Sequence, residues 1–230
     1  FALWLDDGVG AILDKVESLG LTEETLIIFA PDHGSYRHGK ATMHDYGMRV
    51  PVIALWKGEI QPGTTYDGIL GNIDFAPTLL DLAEISIPED YAMDGVSFKS
   101  VLFGSDAPVR DVLFGELGHS RSIKTKEWKY IAVRYPESLQ RKVDAGQKFK
   151  GFDGEAIDLP YLTRNGHLGH YASQVNPHYF DADQLYRLTE DPEETRNLFR
   201  DNPEVAKHAQ QLLAKELGQF IERPFGEFTK

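Results

Sequence analysis

The chain has 230 residues, of which 41% are hydrophobic and 26% charged, with a mean hydropathy of -0.36; this is the composition of an ordinary soluble globular protein and excludes a fibrous or compositionally disordered one. Its 24 Lys and Arg against 36 Asp and Glu give a formal net charge of -12, which argues against a nucleic-acid partner, since phosphate neutralisation needs a basic face. No apolar run reaches the roughly 18 residues of a membrane span, and the lack of cysteine excludes disulfides, thiolate metal sites and a cysteine nucleophile within these residues.

Leu3, Leu5, Val9, Ile12, Leu13 and Val16 recur at spacings of three and four before Gly20, which predicts an amphipathic helix over 3–19. The chain has no initiator Met and opens inside that helix, so it is expected to be part of something longer. Leu26 to Ala30 is a continuous apolar run, the pattern of a strand buried on both faces of an α/β sheet, and it stops at Pro31-Asp32-His33-Gly34. Val52 to Trp56 predicts a second buried strand. Ile73 to Ala83 predicts a short helix with Asp74 as N-cap and Pro77 in its first turn. From about residue 110 the texture changes to short strands at Val112 to Gly115, Ser122 to Lys124 and Lys129 to Arg134, as in a small antiparallel sheet. Residues 136–183 show no clear periodicity and read as a loop-rich insertion. Asn202, Pro203 and the stripe Val205, Ala209, Leu212, Leu213, Leu217, Phe220 and Ile221 predict a terminal helix.

Asp32 and His33 follow a buried strand, where open α/β sheets place their ligands. A carboxylate beside an imidazole there can bind a cation, and Gly34 lets the backbone turn sharply behind them. Taken alone, the tripeptide reads equally as a loop start in which Asp32 caps a turn. Residues 1–115 hold 18 of the 36 acidic but only 7 of the 24 basic side chains, so an anion held there needs a few local cations or a metal. Asp45 and Arg49, four apart, are placed for a local ion pair.

Asp32-His33-Gly34, then Gly39-Lys40, then Arg49-Val50-Pro51 nine residues after the lysine, resembles the C-terminal half of the type I, formylglycine-dependent sulfatases of the alkaline phosphatase superfamily. The likeness extends to Leu5-Asp6-Asp7-Gly8-Val9-Gly10, Asn72 to Ala83, Asp94 to Ser97, Trp128-Lys129-Tyr130 and Gln184-Leu185-Tyr186. It implies an α/β fold: part of an alkaline-phosphatase-like sheet flanked by helices over 1–110, then a small α+β subdomain with an antiparallel sheet, the 136–183 insertion and a terminal helix over 111–230. It also implies a sulfuric ester hydrolase with Asp32 and His33 as metal ligands and Lys40 on the sulfate. Calcium is the expected metal, although His33 stands where many relatives have Asn and an imidazole is a poorer calcium ligand than an amide oxygen.

His38, inside the same loop, is a candidate for contacting sulfate or protonating the leaving oxygen. His119 is a candidate from the second subdomain, and within the insertion His170 and Tyr171 are candidates for binding a sugar ring, giving a sulfated carbohydrate or polysaccharide as the expected partner. The formylglycine precursor motif Cys/Ser-x-Pro-x-Arg occurs nowhere in these 230 residues; the nucleophile is therefore expected upstream and the isolated chain is expected to be inactive. A phosphatase or phosphodiesterase of the same superfamily, and a noncatalytic carbohydrate-binding homologue, are the competing readings. A periplasmic or secreted location fits a polysaccharide substrate, and the sequence leaves the oligomeric state open.

Overall fold

The computed structural model describes residues 1–34, 39–40, 42–147, 149–150, 156–157 and 175–219. They divide into two compact units, Phe1–Pro31 with Pro51–Val109, and Asp32–Val50 with Arg110–Lys230. The loop that carries Asp32, His33 and Lys40 thus belongs with the second unit, although it falls inside the 1–110 span expected as the first domain.

In the first unit, α1 (Ala2–Ser18) realises the predicted helix and ends at Gly20, whose φ of 69° lies in the left-handed region that glycine adopts without strain. None of its residues is buried; Leu3 and Trp4 are 82% and 78% exposed. Strand β1 (Ile27–Phe29) pairs antiparallel with β2 (Ile53–Leu55), Ile28 opposite Ala54. The expectation that both are buried on two faces is not met. The residues of β1 are half-buried and Ile53 and Leu55 are exposed, because among the described residues this two-stranded ribbon lacks further strands on which to pack.

A short 3-10 turn, Asn72–Asp74, leads into α3 (Phe75–Leu82). Asp74 precedes α3 as predicted, but its carboxylate makes no cap bond to that helix. It accepts instead from the Gly71 and Val96 amides at 2.7 and 2.8 Å, and so ties the 94–98 segment to the turn from a fully buried position. Thr78 continues the tie, its hydroxyl donating to the Asp74 carbonyl and accepting from the Phe98 amide, and α4 (Lys99–Leu102) follows.

The second unit is built on a four-stranded antiparallel sheet in the order β3 (Leu113–Leu117), β4 (Ser120–Lys124), β5 (Trp128–Val133), β8 (Asp183–Arg187). The first three are the predicted strands, while β8 opens where the predicted loop closes. That predicted loop also contains a regular helix, α5 (Glu137–Asp144), and a two-stranded ribbon of β6 (Phe149–Lys150) with β7 (Ala156–Ile157). The terminal helix, α6 (Pro203–Leu217), buries Ala206, Ala209, Leu213 and Leu217 against Ile123, Tyr130, Ala132 and Leu185 on one face of the sheet. Asn202 precedes it without a side-chain cap bond, and Phe220 and Ile221 lie outside the described residues.

Side chains alternate across a strand, so Ile131 and Val133 point to the opposite face from Tyr130 and Ala132. There they meet Met43, Tyr135 and Tyr186, with Leu139 and Val143 of α5 alongside. Met43 comes from the 42–48 segment, which covers this second face. Gly115 in β3 makes room for it: a Cβ at that position would fall 2.5 Å from the Met43 methyl and 2.8 Å from that of Met48. No helix among the described residues is long and apolar enough to cross a membrane.

Candidate active site

The site is organised by one turn of helix, α2 (Asp45–Met48). The Gly34 amide donates to the Gly47 carbonyl at 2.8 Å. Cβ atoms added at Gly34 and Gly39 would fall 2.0 and 2.1 Å from the same Tyr46 carbonyl oxygen, and one at Gly47 would fall 2.0 Å from the Gly39 carbonyl oxygen. These three glycines permit a close backbone crossing that no side chain would allow. Asp32 and His33, just before Gly34, and Lys40, just after Gly39, are thereby anchored to a single turn.

His33 Nδ1 lies 2.8 Å from the Gly34 carbonyl oxygen. A carbonyl only accepts, so Nδ1 is the donor there and Nε2 is the nitrogen left to face outward. That Nε2 stands 3.6 Å from the Asp32 carboxylate, whose side chain is 86% exposed. A carboxylate oxygen and an imidazole nitrogen this close are two donors that a divalent cation could share, and two ligands cannot complete the six to eight oxygens of calcium or the octahedron of magnesium. Among the described residues no group of three or more His, Asp or Glu is arranged to hold a metal.

Lys40 is half-buried and, among the described residues, makes no hydrogen bond or ion pair. Its ammonium is a compact charge with three donors and, among the described residues, no carboxylate to neutralise it, a condition suited to receiving an external oxyanion. His119 occupies the turn between β3 and β4, where its ring packs edge-on against Tyr135 at 5.5 Å and its carbonyl accepts from the Arg134 amide. Those contacts fix the turn on which it sits. His38, His170 and Tyr171 lie outside the described residues.

Two features here were not read from the sequence. Asp45 does not pair with Arg49, which is exposed; its carboxylate accepts from Lys124 at 2.6 Å and Lys129 at 2.7 Å. His44 is buried, with Nδ1 2.5 Å from the Thr42 hydroxyl and Nε2 3.3 Å from the Tyr186 hydroxyl. Burial, reinforced by Lys129, lowers its pKa to about 3 and keeps it neutral. The available signal was Lys129 itself: strand alternation sets it on the same face as Ile131, where a lysine needs a carboxylate partner.

A family model described as Sulfatase matches residues 1–85. The chain is 30% identical over 211 residues to an "Ulvan-active sulfatase" of Formosa agariphila, covering 86% of this chain and 38% of the relative. It is 27% identical over 234 residues to an "N-acetylgalactosamine-6-O-sulfatase" of Bacteroides thetaiotaomicron, covering 92% and 40%. A solved structure from a study of glycosaminoglycan metabolism by Bacteroides thetaiotaomicron superposes with a TM-score of 0.67 at 25% identity, over 92% of this chain and 42% of that one. The chain thus spans about two fifths of the length of the relatives it matches.

Proposed function

We propose, from the premise that this chain belongs to the type I sulfatases of the alkaline phosphatase superfamily, that it supplies one wall of the active site of a sulfatase acting on sulfated carbohydrate. The observation that carries this reading is the shared anchoring of Asp32, His33 and Lys40 on the Tyr46-Gly47 turn. A sugar substrate is supported by the similarity to the N-acetylgalactosamine-6-O-sulfatase of Bacteroides thetaiotaomicron.

Members of this family generally use a metal and a formylglycine, and calcium is the reading for the metal here. When bound, the cation would lower the charge on the sulfuryl oxygens and the formylglycine hydrate would supply the attacking oxygen. Within this chain, Asp32 and His33 Nε2 would hold the cation. Lys40 would donate to the sulfuryl oxygens and stabilise negative charge as it shifts toward the leaving oxygen. The lysine also offsets the acidity of residues 1–115. His38 would give a proton to that oxygen, a role suited to an imidazole near neutral pH. His170 and Tyr171 would contact the sugar. No Cys/Ser-x-Pro-x-Arg motif occurs in these 230 residues, so the nucleophile would come from another segment of the protein.

The test is release of inorganic sulfate from a 6-O-sulfated amino sugar by the full-length enzyme. Lys40→Ala is expected to lower kcat/KM by about 100-fold or more, the usual effect of deleting one donor to a developing anion. Chelation of divalent cations is expected to abolish turnover, with recovery on adding calcium. Unchanged activity in Lys40→Ala would contradict the reading.

A further inference from the structure

The roles assigned so far leave a buried charge cluster unused. Lys124 and Lys129 are direct register partners across β4 and β5, a like-charge pairing that is destabilising by itself. The Asp45 carboxylate lies between them, one oxygen to each ammonium. Glu194, in the loop after β8, completes the set: it pairs with Lys129 at 3.0 Å and accepts from the Asp45 backbone amide at the start of α2. The side chains of Lys129 and Glu194 are 1% and 0% exposed. Glu194 also has a φ of 56°, a left-handed conformation that a non-glycine residue keeps only where its surroundings over-determine it.

Four charges at this position are a weak source of stability, since apolar side chains of similar volume often do as well. What they supply is direction. Glu194 fixes the first amide of α2, and Asp45, held by two lysines, fixes how that turn is rotated over the sheet. The next two residues, Tyr46 and Gly47, are the backbone surface against which Gly34 and Gly39 are pressed. We propose that Glu194 and Lys129 are positioning residues for the sulfate site: through Asp45 and the Tyr46-Gly47 turn they set where Lys40 and the Asp32-His33 pair stand. The proposal rests on the sulfatase reading above and makes the C-terminal sheet part of the catalytic geometry.

The test uses the full-length enzyme, with 4-nitrophenyl sulfate as substrate and inorganic sulfate as competitive inhibitor. Glu194→Gln keeps an acceptor for the Asp45 amide and removes the charge that holds Lys129. It is expected to raise the sulfate inhibition constant about tenfold, and to change it less than about twofold when Lys40 is already alanine, because coupled residues are not additive. An equal effect in both backgrounds, or a fall in kcat with KM and the inhibition constant unchanged, is the mark of a smaller folded fraction and overturns the proposal. Lys124→Met, at a lysine 24% exposed, tests the same coupling if Glu194→Gln does not fold. Hydrogen exchange gives an answer free of turnover: the Gly34 and Gly47 amides are expected to exchange faster in Glu194→Gln, and unchanged exchange overturns the proposal. An unchanged inhibition constant in Lys40→Ala alone would remove the sulfate role of Lys40, and the exchange data would then place the failure in that reading rather than in the mechanical link.

Discussion

Asp45 and His44 are adjacent but titrate for opposite physical reasons. Burial works to raise the Asp45 pKa, yet Lys129 and Lys124 together outweigh it and bring it down from 3.8 to about 2. A carboxylate whose folded pKa is depressed contributes stability that is complete above its unfolded pKa and is lost as pH falls below it. His44 is lowered from 6.5 to about 3 chiefly by burial, so the unfolded chain takes up its proton first and stability falls as pH drops from about 6.5. The His44 window runs from about 6.5 to about 3 and the Asp45 window from 3.8 to about 2, so the two overlap only at their ends. Between pH 7 and pH 4, urea unfolding is expected to lose about 3 kcal/mol through His44; a variant such as His44→Gln should flatten that slope while leaving the fall below pH 4 to which Asp45 contributes. A flat profile in the parent would show that His44 is not buried as described. Asp45→Asn, which leaves two lysines opposed, is expected to destabilise by about 3–5 kcal/mol, measured by the same unfolding curves.

Among the helices, α2 is as short as α4, at four residues, and carries the most consequence. Gly47→Ala would force a Cβ to within 2.0 Å of the Gly39 carbonyl oxygen. Backbone cannot give way as a flexible side chain does, so the expected cost is about 1–3 kcal/mol, with a rise in KM accompanying it because Lys40 moves. A variant with wild-type melting temperature and KM would contradict the close crossing. How much of each element was legible depended on its pattern. The stripe of α6 was long enough to be read, four of its residues being buried on the sheet. By contrast, α5 offers only Leu139 and Val143 as apolar residues in one turn-spacing, too few to show a period. Strand β8 hides Gln184, Leu185 and Tyr186 alike, so no alternation marked it. The β1 and β2 runs were read correctly as strands, but their predicted burial depended on neighbours that composition does not supply.

At the scale of the whole chain, the candidate site was legible as a motif and illegible as a mechanism of support. Asp32, His33 and Lys40 were visible by their spacing to Arg49-Val50-Pro51. The charges that hold their platform lie 79 to 149 residues from Asp45 along the chain, a separation at which no local pattern operates. The first unit adds a separate consequence. With Leu3, Trp4, Ile12 and Ile53 all more than half exposed, the first unit leaves large apolar side chains in solvent, as interaction faces and aggregation sites do. Expressed in isolation, the chain is expected to bind a hydrophobic dye strongly and to release no sulfate from a sulfate ester; weak dye binding together with turnover would contradict both the exposure and the placement of the nucleophile outside these residues. The central claim, that one helical turn anchors a cation-binding pair and an ammonium toward the same oxyanion, is tested most directly by a crystal structure of the full-length enzyme with a 6-O-sulfated amino sugar and calcium. The account predicts the Lys40 Nζ within hydrogen-bonding distance of a sulfate oxygen and the cation on Asp32 and His33 Nε2; Lys40 and Asp32 facing separate environments would contradict it.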